Sequence, residues 1–137
     1  GLSVACFFAD LDNFKQVNDL LGHKEGDQVL REAAEVLRNT FRDSDILARL
    51  GGDEFAVIMV QEHAEEEDPT VSETSVRDRL ARNLDLWNAQ SPRSYRLAMS
   101  VGIAAVHATS EISLDTLVAE ADKKMYAEKA AKKKLCR

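Results

Sequence analysis

A chain of 137 residues, 45% apolar and 31% charged, has the size and make-up of one soluble globular domain with a proper core. Its net charge of −6 disfavours general nucleic-acid binding, and no apolar run approaches the ~20 residues needed to span a bilayer. Two cysteines, Cys6 in an apolar run and Cys136 next to last, do not make a disulfide framework, which fits a cytoplasmic location.

The run Leu2 to Ala9 is too short for a signal peptide core and lacks a basic start. Within it, Val4 to Ala9 is unbroken by polar residues, as in a strand buried on both faces. That would leave Asp10 at the strand's C-terminal end, with Asp12 as a cap for the next segment. Phe14, Val17, Leu20 and Leu21 keep helical spacing, so a short helix is expected over Asn13 to Leu21, broken by Gly22-His23-Lys24-Glu25-Gly26. Asp27 to Phe41 reads as an amphipathic helix, with Leu30, Ala33, Ala34, Leu37 and Phe41 in one stripe.

After Arg42-Asp43-Ser44-Asp45, two apolar runs flank Gly51-Gly52-Asp53-Glu54. Paired glycines between strand-like runs predict a tight hairpin turn, because glycine takes positive φ without steric cost. Asp53 and Glu54 then lie at or just past the tip. They are either surface acids or a site where a ligand approaches the backbone. Gln61 to Ser75 is acidic, holds Pro69, and is expected to be a mobile loop, the best place for an insertion. Val76, Leu80, Leu84 and Trp87 mark a helix that ends at Ser91-Pro92. Tyr95 to Val106 reads as a strand, with Gly102 marking a bulge or a close contact. A last helix starts near Ser113, buries Leu114, Leu117, Val118, Ala121 and Met125, and ends in Lys132-Lys133-Lys134.

Strand, two helices, hairpin, helix, strand, helix is the order of an α+β fold. It implies a mixed, mostly antiparallel sheet covered by helices, of ferredoxin-like or polymerase-palm type. If the hairpin lies beside the first strand, Asp53 comes near Asp10. Two carboxylates on neighbouring strands make a hard oxygen site for Mg²⁺ or Mn²⁺ that substrate phosphates complete, suited to phosphoryl or nucleotidyl transfer. The helix after Asp12 offers the free N–H groups of Asn13 and Phe14 to an anion, and Lys15 and a lysine of the last helix add charge. Asn18 and Asp27 match the donor and acceptor edge of guanine better than that of adenine, although they serve equally well as a helix end and a helix cap.

Asp10-Leu11-Asp12-Asn13-Phe14-Lys15, Asn18-Asp19, Gly22-His23, Gly26-Asp27 and Gly51-Gly52-Asp53-Glu54-Phe55 together resemble the GGDEF family, the diguanylate cyclases of bacterial signalling. The likeness continues into Ala121-Asp122 and Tyr126-Ala127-Glu128-Lys129. It implies an adenylyl-cyclase-like palm with an added hairpin that carries the signature turn. It also implies that two GTP molecules are joined into cyclic di-GMP, with two pyrophosphates released. By position, Asp10, Asp53 and the Leu11 carbonyl resemble the ligands of two Mg²⁺ or Mn²⁺ ions. Asp53 and Glu54 fill the catalytic acidic places, and Asn18 and Asp27 the guanine pair. The N–H groups of Asn13 and Phe14, with Lys15 and Lys129, resemble the phosphate contacts. The resemblance further implies a homodimer in which each domain holds one GTP, a sensor or effector domain in a longer parent chain, and no nucleic-acid partner. Arg42 and Asp45 match an inhibitory RxxD site for cyclic di-GMP, where arginine forks onto phosphate or guanine; a helix end with exposed charges is the other reading.

Some positions depart from the family pattern. Lys133 stands where an arginine is usual, in Lys132-Lys133-Lys134 rather than a Gly-Arg-Asn run, so charge is kept without the two-point grip. The usual segment ahead of the first strand, with its Asp-x-Leu-Thr pattern, does not appear in this sequence, as expected either of a trimmed chain or of a divergent domain. The acids from Glu65 to Asp68 have no counterpart, His23 is either a pocket or a loop residue, and Trp87 is expected in the core. These departures keep open a weak or inactive module that binds GTP or cyclic di-GMP and regulates an attached domain. A nucleic-acid polymerase palm shares the acidic pair but conflicts with the net charge.

Overall fold

A computed structural model describes residues 2–62, 72–109 and 111–135. The elements run β1 (Leu2–Leu11), α1 (Phe14–Leu21), α2 (His23–Thr40), β2 (Ile46–Gly51), β3 (Glu54–Glu62), α3 (Ser72–Gln90), β4 (Met99–His107) and α4 (Leu114–Leu135). The sheet order is β2-β3-β1-β4, and every neighbouring pair is antiparallel. The α1–α2 crossover therefore joins two strands that run the same way but are kept apart by β3. Among the described residues no parallel pair forms, although β1 is the unbroken apolar run that a central strand requires.

Strand alternation sends the two faces of β1 to different layers. Ala5, Phe7, Ala9 and Leu11 meet α2 and α3 through Val29, Ala33, Val36, Leu37, Val76 and Leu80. Phe7 and Phe41 close this layer edge to face, with ring centroids 4.9 Å apart. Cys6 and Phe8 face α4 through Leu117, Ala121 and Met125. Gly102 lets α4 lie directly on β4: a Cβ there would stand 2.0 Å from the Ala121 carbonyl oxygen and 2.3 Å from the Met125 nitrogen. The glycine thus marks a close contact rather than a bulge.

β4 is an edge strand, and charged side chains take several of its outward backbone groups around Val101 and Ile103. Lys124 Nζ donates to the Ile103 carbonyl at 3.1 Å and Arg77 to the Val101 carbonyl at 3.3 Å, while Glu128 accepts the Val101 N–H. An edge satisfied in this way offers less to a foreign strand.

Several boundaries differ from the sequence expectation. α2 begins at His23, because only Gly22 breaks the chain, at φ 89°. Gly26 lies inside the helix, and the Asn18 side chain fills the space where its Cβ would sit. β4 begins at Met99 rather than Tyr95. Ahead of it, Asn88 brackets Leu97, donating to its carbonyl at 2.9 Å and accepting its N–H at 2.8 Å. Trp87 is half-buried, packed against the core and stacked on Tyr95 at 6.4 Å. Of the loop expected over 61–75, Gln61 and Glu62 extend β3 and Ser72 to Ser75 begin α3. Residues 63–71, with the acids from Glu65 to Asp68, lie outside the described residues.

Candidate active site

The parity that points Phe8 at α4 also points Asp10 there, at the C-terminal end of β1. Its Cα pairs with Glu54 on one side and Ser100 on the other. The turn Gly52-Asp53 reaches over the same end, where the Leu11 N–H donates to the Asp53 carbonyl at 3.1 Å. Asp10 is 8% exposed, and one of its oxygens, Oδ1, is buried without a hydrogen-bond partner. The other, Oδ2, pairs with Lys129 Nζ of α4 at 3.0 Å. Burial, and after it the neighbouring Asp53 carboxylate, push the Asp10 carboxyl up to about 6, against the pull of Lys129.

The hairpin glycines are not in the left-handed region; among the described residues only Gly22 and Asn13 are. Gly52 instead faces open space, with nothing within 4 Å of where a Cβ would lie. It keeps the backbone beside Asp53 bare, as a closely approaching ligand requires. Glu54 is the first residue of β3, and its carboxylate lies against Gly51.

Asp12 does not cap α1. Its Oδ1 accepts from Ser100 Oγ at 2.6 Å and its Oδ2 pairs with Lys132 Nζ at 2.7 Å. Asn13 is the residue before α1, at φ 62° and ψ 19°, and Phe14 opens the helix, half-buried against the core. Lys15 is exposed on the first turn. Asn18 lies over Gly26, next to Asp27, so the two residues of the expected guanine pair come from helices in contact. Asp27 and His23 are exposed on the first turns of α2, and Lys133 is exposed on α4, one turn beyond Lys129.

Arg42 and Asp45 lie apart from this group. Asp45 Oδ2 accepts the Arg42 backbone N–H at 2.9 Å, closing a local turn. Arg42 lines a cavity of about 470 Å³ with Val60, Gln61, Glu62, Ser75, Val76 and Arg79. The Nε of Arg79 is buried and unpartnered. Sequence reading missed Arg79 because the cavity forms between β3 and α3, which are distant in the chain. It also missed Lys132 and Ser100. The one available signal for Lys132 was its position three residues after Lys129, on the same side of a helix.

A family model described as "Diguanylate cyclase, GGDEF domain" matches residues 1–135. The chain is a GGDEF domain. This GGDEF domain is 33% identical over 129 residues to the diguanylate cyclase DgcS of Shewanella oneidensis, covering 94% of the chain but 40% of that protein. Among solved structures it resembles the GGDEF domain of TpbB from Pseudomonas aeruginosa, with TM-score 0.76 and 31% identity over 94% of this chain and 72% of that one. It also resembles the GGDEF domain of DgcB from Caulobacter crescentus in complex with c-di-GMP, with TM-score 0.75 and 28% identity over 96% and 74%. The GGDEF domain spans less than half the length of the curated relatives that it matches first.

The residues present fit a divalent cation. Among the described residues no group of three or more His, Cys, Asp and Glu side chains makes a complete cage. Two carboxylates, one with a buried oxygen lacking a partner, suit an ion that takes its remaining oxygens from backbone, water and substrate phosphates, as Mg²⁺ does.

Proposed function

We propose that this domain condenses two GTP into cyclic di-GMP, releasing two pyrophosphates, as the face-to-face homodimer in which each copy presents one GTP. The observation that carries the reading is the meeting of Asp10, Asp53 and Lys129 beside the start of α1. A cation is drawn to that point and a triphosphate has donors to receive it. Asp10, Asp53 and the Leu11 carbonyl would hold two Mg²⁺ or Mn²⁺ ions, which when bound polarise the α-phosphate and acidify the attacking 3′-hydroxyl.

The chain's own residues do the rest. The N–H groups of Asn13 and Phe14, with Lys15, Lys129 and Lys133, bind the phosphates. Lys129 Nζ lies 3.0 Å from Asp10 Oδ2, where its charge would meet a triphosphate held at that carboxylate. Asn18 and Asp27 read the guanine edge. Asp53 takes part in deprotonating the 3′-hydroxyl, and Glu54 stands beside it at the start of β3. The hydroxyl of one GTP attacks the α-phosphorus of the other across the dimer and pyrophosphate leaves. A second attack in the opposite sense closes the ring.

We further read the cavity of Arg42 and Arg79 as the product-binding site. Two guanidinium groups, one with an unsatisfied buried Nε, suit the phosphates and guanines of cyclic di-GMP. Asp45 has a structural part in that reading, since its carboxylate already closes the turn that aims Arg42. Among the described residues no helix is long and apolar enough to cross a membrane. We read the domain as a catalytic module joined to a sensor or effector domain, since it spans less than half of the relatives it matches first.

The test is direct. The purified chain is incubated with GTP and Mg²⁺, and nucleotides are resolved by chromatography and mass. Cyclic di-GMP is expected, and Asp53→Asn should abolish it with the thermal transition unchanged. Absence of product at high protein concentration would refute the reading. Calorimetric titration with cyclic di-GMP should lose its signal in Arg42→Ala and in Arg79→Ala.

A further inference from the structure

We propose that Lys132 is a positioning residue for the turn that receives the triphosphate, acting through Asp12 and touching no substrate itself. The proposal rests on the proposed function, in which the N–H groups of Asn13 and Phe14 bind phosphate.

Asp12 is fixed from three directions. Its N–H donates to the Ala98 carbonyl at 2.9 Å, Ser100 Oγ donates to its Oδ1 at 2.6 Å, and Lys132 Nζ donates to its Oδ2 at 2.7 Å. Ser100 is fully buried, so that partner is rigid. Lys132 is held at a second point, because the same Nζ donates to the Met99 carbonyl at 2.7 Å. Its ammonium therefore bridges α4, the edge strand β4 and the end of β1.

The next residue needs this support. Asn13 sits at φ 62°, in the left-handed region, at a cost of about 1 kcal/mol for a residue with a Cβ. Its own side chain makes no capping bond to α1. The turn is held by its neighbours, Asp12 before it and the Val17 N–H on the Asn13 carbonyl after it, at 3.1 Å. A left-handed residue followed by helical ones makes successive N–H groups converge on one point, which is an anion-binding concavity.

The two lysines that meet the end of β1 thus divide the work. Among the described residues Lys129 pairs with the carboxylate of Asp10 alone, which a cation would share. Lys132 has a carboxylate that stays and a carbonyl besides. It contributes geometry rather than charge at the phosphate.

Lys132→Met keeps the aliphatic stem and removes the ammonium, and Lys132→Arg keeps a donor able to reach both oxygens. With Mg²⁺, Lys132→Met should raise the KM for GTP about tenfold while changing kcat less than about threefold, since ground-state phosphate binding is what it loosens. Binding of a non-hydrolysable GTP analogue should weaken in parallel, with cyclic di-GMP titration and melting temperature near those of the parent. Lys132→Arg should restore most of the KM. A parental KM in Lys132→Met overturns the proposal alone. So does a loss in which kcat, melting temperature and cyclic di-GMP binding fall together, because that is a fold defect. If the parent itself neither binds the analogue nor forms product, the phosphate-site reading fails and takes the proposal with it.

Discussion

Asp10 carries a conflict between folding and chemistry. Its carboxyl is buried and faces Asp53, and burial together with that neighbour pushes it up to about 6 from an ordinary value of 3.8. Between those two values the native state holds a proton that the unfolded chain has released. Stability of the metal-free fold therefore falls as pH rises through that window, and the full penalty persists above it. A displacement of this size corresponds to roughly 2–3 kcal/mol. Asp10→Asn should raise the melting temperature of EDTA-treated protein at pH 7.5, show no such gain near pH 4, and abolish product formation. Melting curves of parent and variant from pH 4 to 7.5 decide it: a difference that does not grow with pH contradicts the assignment. Such a gain at the expense of activity is what a site built to attract a cation should show.

At the scale of elements, two glycines do opposite work. Gly26 lies inside α2, where a Cβ would meet Asn18 Oδ1 at 1.7 Å, the far end of a flexible side chain. Asn18 can swing away, and alanine gains about 0.8–1 kcal/mol of helix propensity over glycine. Gly26→Ala should leave the fold as stable or more so, yet weaken GTP binding severalfold by displacing Asn18 from beside Asp27. A GTP affinity equal to the parent's would mean that Asn18 does not read the base. A Cβ at Gly102 would instead meet backbone atoms of α4. The helix itself must move, so Gly102→Ala should cost of the order of 3 kcal/mol, visible in denaturant unfolding. It should also lower activity, since Lys129 and Lys132 ride on that helix.

For the whole molecule, the proposed reaction joins two nucleotides, and in that reading one domain holds one of them. Specific activity should rise with protein concentration and level off as dimers fill. A turnover rate per molecule that stays constant over a thousandfold dilution would contradict the homodimer. Arg42→Ala should leave the initial rate unchanged and prolong the linear phase, because its cavity lies away from Asp10 and Asp53 and product no longer accumulates on it. Following pyrophosphate release over several turnovers separates these outcomes.

Much of this was determined by the linear order of residues. The apolar run of β1, the stripe of α2 and the spacing of Asp10, Asn18, Asp27 and Asp53 report local periodicity and family pattern, which need no coordinates. Helix and strand starts were less legible. Gly26 resembles a helix breaker until Asn18 is seen filling its missing side chain, and Tyr95 reads as strand until Asn88 is seen holding Leu97. The partners of Asp12, the edge closure of β4 and the shared cavity of Arg42 and Arg79 were decided only in three dimensions. Each joins groups from different elements, and what a polar side chain does depends on which partner the fold brings within hydrogen-bonding reach, a distance that sequence separation does not encode.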